Sequence, residues 1–199
     1  MQLHNLFPVP LGIFKLDRLF TQDEISFFDS VELRNNEGNL TSIKRNLLEE
    51  DQLKDLSKWI YECIKRYFES IHIPSQDTKL RITQSWTNVT SKGQYHHKHY
   101  HPNSFVSGVL YINGSEEEDK IIFFRDKKRV LKTPSNSFNE FNSDTWWMPS
   151  GTGTLYLFPS DLEHCVETID SDRKRVSLAF NTFPVGKWGC DSSLTGLEL

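Results

Sequence analysis

Four of the seven histidines in this chain fall between positions 96 and 101, in the segment Tyr95-His96-His97-Lys98-His99-Tyr100-His101-Pro102. Imidazole is a borderline ligand suited to iron, zinc, copper and nickel. In an extended segment, residues two apart project to the same side, so His99 and His101 can grip one ion together. His97 shares that side, which leaves His97 with His99 as a shifted alternative pairing. The competing reading is a polar, histidine-rich surface loop.

Two features downstream bear on that choice. The first is Pro159-Ser160-Asp161-Leu162-Glu163-His164, which sets a further histidine at the head of a predicted strand, just after the apolar run Leu155-Tyr156-Leu157-Phe158. Alone, such a histidine reads as structural. The second is Arg175-Val176-Ser177, which follows eleven residues later and opens the apolar strand Leu178-Ala179-Phe180-Asn181. A guanidinium at the start of a buried strand demands an anionic partner, because a desolvated charge must be paired. Arg173 competes for the same role, but it precedes the strand among Asp170, Asp172 and Lys174 and reads as part of a solvated turn.

The elements that must position these groups fall into two parts. After an extended opening, Leu6-Phe7-Pro8-Val9-Pro10-Leu11-Gly12-Ile13-Phe14, Thr21 and Glu24 form the reciprocal pair that starts a helix ahead of Ile25, Phe27 and Phe28. From about Glu50 to Ser70, the residues Leu53, Leu56, Trp59, Ile60, Cys63, Ile64 and Phe68 recur at three- and four-residue steps. That spacing predicts a helix with one apolar face that needs a flat partner. From Leu80 the pattern becomes short apolar or alternating runs between Gly, Pro, Asn and Ser clusters. About seven strands are predicted: Leu80 to Val89, Phe105 to Ile112, Lys120 to Phe124, Asp144 to Met148, Gly153 to Phe158, His164 to Thr168 and Arg175 to Phe183. The expected fold class is mainly β, a double-stranded β-helix (jelly roll) whose outer sheet is covered by N-terminal helices. The whole chain, 1–199, is expected to form one domain: a helical and extended part at 1–79, a jelly-roll core at 80–185 and a C-terminal tail at 186–199.

A His-x-His pair at the start of a barrel, a distal histidine some sixty residues on, and an arginine about ten residues further with a hydroxyl residue two later resemble the Fe(II)/2-oxoglutarate oxygenases. More narrowly, Ser85-Trp86-Thr87-Asn88-Val89, Gly93, His99-x-His101-Pro102-Asn103-Ser104, Ser107-Gly108-Val109-Leu110-Tyr111, Leu157-Phe158-Pro159-Ser160, His164 and Arg175-Val176-Ser177-Leu178-Ala179-Phe180-Asn181 are similar to a bacterial and phage group of such oxygenases related to prolyl hydroxylases. Leu6-Phe7-Pro8-Val9-Pro10 resembles the start of that group. The resemblance is strong from Ser85 to Asn181 and weak over the helices.

The resemblance implies that His99, His101 and His164 hold Fe(II), and that Arg175 pairs bidentately with the far carboxylate of 2-oxoglutarate, which a planar guanidinium matches better than an ammonium does. It further implies that Ser177 and Tyr111 contact that carboxylate and that Asn88 and Ser107 line the pocket. For Tyr111 a core aromatic is the competing reading. With O2, the implied reaction is oxidative decarboxylation of 2-oxoglutarate to succinate and CO2 coupled to oxidation of a substrate C–H bond, hydroxylation by default. The chain departs from the wider superfamily at His101, where a carboxylate is usual. A third neutral ligand leaves the ferrous centre more positive and changes its redox poise. The alternative is a cupin-like metal-binding jelly roll with non-redox or no catalytic activity, in which Arg175 has no reason to point inward.

Composition bounds the partners. The 199 residues are 37% hydrophobic, 13% aromatic and 25% charged, with a formal net charge of -4, so no global attraction to nucleic acid or anionic lipid is expected. The basic run Arg125-Asp126-Lys127-Lys128-Arg129 reads as a solvated loop. No apolar stretch approaches the roughly 20 residues of a membrane span. The three scattered cysteines and the lack of a signal-like start predict a cytoplasmic setting, in which the sequons at Asn39 and Asn88 carry no meaning. A small molecule or a protein side chain is the expected substrate, and a homodimer is compatible with the sequence. Trp146 and Trp147 cannot both face the core of one strand, so one is expected to be exposed or to cover the mouth of a pocket, with packing under a helix as the competing reading.

Overall fold

Side-chain alternation on the strand opening at Arg175 sets up the architecture. Leu178 and Phe180 enter an apolar layer on one side, whereas Arg175, Ser177 and Ala179 line a cavity on the other. The computed structural model describes residues 1–74, 77–126, 131 and 133–199. In chain order its elements are β1 (Gly12–Lys15), α1 (Gln22–Ser30), β2 (Leu33–Asn35), β3 (Leu40–Ser42), α2 (Lys54–His72), β4 (Thr78–Thr90), β5 (His96–His99), β6 (Val106–Asn113), β7 (Lys120–Phe124), β8 (Thr145–Pro149), β9 (Thr154–Pro159), β10 (His164–Val166), β11 (Arg175–Trp188) and β12 (Leu197–Glu198), with short 3-10 turns between some of them. A large sheet runs β1-β9-β6-β11-β4-β3-β2, with β12 added on β11, and a small one runs β5-β10-β7-β8. The chain is a mainly β jelly roll.

Both helices sit where their patterns require. Thr21 caps α1 through its side chain, and Glu24 returns the bond to the Thr21 backbone. Leu56, Ile60, Cys63, Ile64, Tyr67 and Phe68 of α2 form one apolar layer with Leu110, Leu155, Leu157, Leu178 and Phe180 from the outer face of the large sheet. A second, smaller cluster of Tyr111, Ile121, Phe123, Tyr156, Phe158 and Val166 fills part of the space between the sheets. Gly108 on β6 allows the first layer to close: a Cβ there would lie 2.2 Å from the Phe180 ring.

The structure departs from the sequence expectations at the periphery. The opening contributes β1 to the large sheet, and residues 33–42 form a two-stranded hairpin along its other edge. The C-terminal tail is not free of the barrel, since Leu197 and Glu198 pair with Trp188 and Lys187. Neither tryptophan of the pair packs under a helix. On β8, an edge strand of the small sheet, Trp146 is 48% and Trp147 54% exposed, and the Lys120 ammonium lies over the Trp147 ring. Of the basic run, residues 127–129 lie outside the described residues.

Gly108→Ala forces a buried ring off its seat, and overpacking of this kind costs about 1–3 kcal/mol. The urea midpoint of the variant is expected to fall accordingly; a wild-type midpoint would show that the layer yields at that point.

Candidate metal centre

Antiparallel pairing brings the histidines together. His99 ends β5 and His164 opens β10, and the two are register partners across the small sheet. His101 follows one residue after β5, its backbone N–H donating to the Ser160 carbonyl at 2.8 Å. One ring nitrogen from each of the three residues lies within 4.8 Å of the others.

The remaining ring nitrogens decide the tautomers. Nδ1 of His99 donates to the His97 carbonyl at 2.8 Å, Nδ1 of His164 to the Leu162 carbonyl at 3.0 Å, and Nδ1 of His101 to Asn181 Oδ1 at 2.6 Å. An imidazole that is neutral and protonated at Nδ1 carries a bare lone pair at Nε2. The His99 and His101 Nε2 atoms stand 3.2 Å apart. Two lone pairs at that separation repel unless a cation lies between them. Cis ligands on an ion with bonds of about 2.1 Å are about 3 Å apart, so the donor set fits a first-row divalent metal.

Burial holds these rings neutral. It lowers His101 to about 4 against the Asn181 hydrogen bond, lowers His99, and puts His164 and His96 well below the usual histidine range, with neighbouring imidazoles adding to the effect. Behind His101, Asn181 Oδ1 also accepts from Ser107, whose hydroxyl meets Ser160, which in turn donates to Ser104. This chain of hydroxyls fixes Asn181 and through it the His101 ring.

The opposite end of the cavity is cationic. Arg175 is 3% exposed and lines the same cavity as the histidines. The pairing its burial demands is met within the chain: Nη1 donates to Asp119 Oδ1 at 2.8 Å and Nη2 to the Glu167 carbonyl at 3.1 Å. Asp119 is itself buried, and its other oxygen is ion-paired with Arg173 at 2.6 Å and accepts from the Ser115 N–H at 2.9 Å. Burial alone would raise the Asp119 carboxyl, but these two hydrogen-bonding partners together with Arg175 bring it below its ordinary value. Arg173 also donates to Glu118 and is absent from the cavity wall, so it is neither a solvated turn residue nor a rival to Arg175.

A cross-strand row ties this end to the sheet. Tyr111, Ser177, Asn88, Thr41 and Arg34 are successive register partners on β6, β11, β4, β3 and β2, and all five line the cavity. Burial pushes the Tyr111 hydroxyl up to about 12 against the opposing effect of the Ser150 hydroxyl, so it stays a proton donor. Tyr111, Ser177 and Asn88 therefore share the cavity with Arg175. Ser107 does not reach it and lies one layer back, against Asn181. His97 sits to one side, its Nδ1 3.3 Å from the Glu37 carbonyl, while the His96 ring stacks on His99 at 4.5 Å. Asp119 escaped sequence reasoning because Glu116-Glu117-Glu118-Asp119 reads as a solvated acidic turn. The signal that points to it is the unpaired arginine at the head of the last long strand.

A family model described as "Putative 2OG-Fe(II) oxygenase" matches residues 84–181. No curated protein sequence matches the chain. Among solved structures, the chain is similar to the non-haem α-ketoglutarate-dependent epimerase SnoN from nogalamycin biosynthesis (TM-score 0.64, 10% identity, 88% of this chain and 76% of that one). It is also similar to HygX from Streptomyces hygroscopicus, solved with nickel, 2-oxoglutarate and hygromycin B bound (0.57, 11%, 87% and 82%). A Pseudomonas putida prolyl-4-hydroxylase is a third such structure (0.55, 14%, 87% and 92%). At these identities the likeness is one of fold.

The depressed imidazoles carry a pH dependence. A histidine that stays neutral in the fold but protonates near 6.5 when unfolded favours the unfolded chain on acidification. Stability present above pH 6.5 is thus lost as pH falls toward the folded-state value, about 4 for His101. At pH 5.5, His101 alone should remove about 1.4 kcal/mol from the metal-free protein. Urea midpoints at pH 7.5 and 5.5 measure this, and equal midpoints would mean that the rings titrate freely in the fold.

Proposed function

We propose that this chain, whose residues 84–181 match the 2OG-Fe(II) oxygenase family model, works as a hydroxylase of that family in which His99, His101 and His164 hold Fe(II) and Arg175 holds the far carboxylate of 2-oxoglutarate. The observation that carries this reading is the sharing of one cavity by three Nδ1-protonated imidazoles and a buried, pre-aligned guanidinium. When bound, Fe(II) with 2-oxoglutarate and O2 supplies the oxidising chemistry: decarboxylation to succinate and CO2, coupled to oxidation of a C–H bond.

The chain's own residues do the rest. Two of the Arg175 N–H groups are engaged by Asp119 and Glu167, and a guanidinium has five donors, so others remain for a carboxylate. Asp119 removes the guanidinium's freedom to swing, so its orientation is set before the ligand arrives. The Tyr111 and Ser177 hydroxyls supply further hydrogen bonds at the same end. The Asn181 carbonyl keeps His101 in the tautomer that presents Nε2. Val109, Ile121, Phe158 and Val166 give the cavity apolar walls that limit water around the reacting centre.

A non-redox reading has one point in its favour: three neutral imidazoles also suit Zn(II). Metal analysis together with succinate release from 2-oxoglutarate separates the two. Iron with turnover supports the oxygenase, whereas zinc without turnover supports the other.

Arg175→Gln should weaken 2-oxoglutarate binding to Mn(II)-loaded protein by about 2–5 kcal/mol, as loss of a charge-assisted pair does. Calorimetry giving an unchanged affinity would reject Arg175 as the anchor. Asp119→Asn keeps the guanidinium but frees it, and about a tenfold loss is expected (~1.4 kcal/mol). His164→Ala should leave the protein unable to retain iron through gel filtration; stoichiometric iron in that variant would move the metal elsewhere.

A further inference from the structure

We propose that the outer part of the same cavity is a subsite for a small anionic substrate, whose carboxylate or phosphate group is gripped by Arg34 and Arg45. The proposal names the substrate class for the oxygenase reading and rests on it.

The cavity wall has an unusual charge. The chain carries 27 acidic residues against 23 Lys and Arg, yet no Asp or Glu lines the cavity among the described residues, while Arg34, Arg45 and Arg175 all do. Arg175 is compensated from behind by Asp119. Arg34 and Arg45 have no acidic partner among the described residues, whereas Arg173 and Arg175 both pair with Asp119. Two uncompensated guanidiniums at one mouth focus a positive potential into the cleft, which draws anions from solution.

The placement matches a second ligand rather than the cosubstrate. Arg34 stands at the far end of the cross-strand row from Tyr111, with Ser177, Asn88 and Thr41 between them. At about 4.8 Å per strand, its backbone is roughly 14 Å from that of Ser177. One guanidinium therefore serves each end of the row, and a ligand held by Arg175 leaves Arg34 and Arg45 free. Gln84 and Trp86 on β4 also line the cavity, the Trp86 ring 5.7 Å from that of His101, and offer an amide and an aromatic face that suit the body of a small organic molecule. The cavity is about 230 Å³ and also seats 2-oxoglutarate in the oxygenase reading, so what it encloses of the substrate is small. Planar guanidiniums pair bidentately with carboxylates and phosphates, so the shared chemistry is an oxyanion.

The test uses full-length protein loaded with Mn(II) and saturated with 2-oxoglutarate, so that Arg175 is occupied. Phenyl phosphate and phenylacetate are titrated by calorimetry against their neutral counterparts, phenol and phenylacetamide. At least one anion is expected to bind ten-fold or more tightly than its counterpart, and which anion wins tells phosphate from carboxylate. The R34Q/R45Q double variant should erase that preference while holding 2-oxoglutarate within two-fold of wild type, since both arginines are exposed and far from Arg175. Equal binding of charged and neutral probes, undetectable binding of all four, or a preference that survives the double substitution would overturn the subsite. Wild-type protein that fails to take up 2-oxoglutarate would instead overturn the oxygenase reading beneath it.

Discussion

Three imidazoles can aim bare nitrogens at one point only if each has somewhere else to put its proton. Here that place is an oxygen acceptor on the near side of each ring: two backbone carbonyls within two residues and the Asn181 amide. The two backbone acceptors come with the local chain path, because a residue two positions earlier in an extended or turning segment is already close. The third has to be built, and the hydroxyl chain through Ser107, Ser160 and Ser104 builds it. The large sheet thus serves His101 as a scaffold and, through β11, also carries the residues at the opposite end of the cavity.

The charge balance follows a similar logic. A lone buried arginine would be costly, and a simple Asp–Arg pair would leave little positive charge for an incoming carboxylate. Placing Asp119 between Arg175 and Arg173 satisfies the buried guanidinium while keeping the group as a whole cationic on the cavity side. Glu118 neutralises the outer arginine at the surface, where solvent screens it. The arrangement holds Arg175 still without cancelling it.

Much of this was legible in the residue pattern, for physical reasons that differ by element. The helices announced themselves through a capping pair and a long apolar face. The central strands did so through alternation, because each has one face against α2 and one toward the cavity. The clustered histidines stood out by their density, and Arg175 because a charged residue at the head of an apolar strand is expensive and needs a purpose. The hairpin formed by β2 and β3 did not, since three-residue strands carry too little periodicity to read. Asn181 was hidden by its place at the end of an apolar run, and Asp119 by three acidic neighbours. In both cases the role depends on a partner more than fifty residues away. The exposed tryptophans of β8 mark the same limit: alternation says which residues oppose each other, but not whether a strand lies at the centre or the edge of its sheet.

The position of that hairpin has a consequence for how such a protein can change. β11 and β4 are held from both sides, by α2 on one and by the cavity on the other, so almost any substitution there is felt in folding and chemistry together. The hairpin lies on the outermost edge of the large sheet, held by a short stretch of β4 and, at its turn, by the Tyr95 N–H on the Gly38 carbonyl. Its outward side chains are free to drift while the barrel stays intact. A lineage built on this frame has a replaceable margin beside a constrained interior, and new specificities would be expected to arise there first.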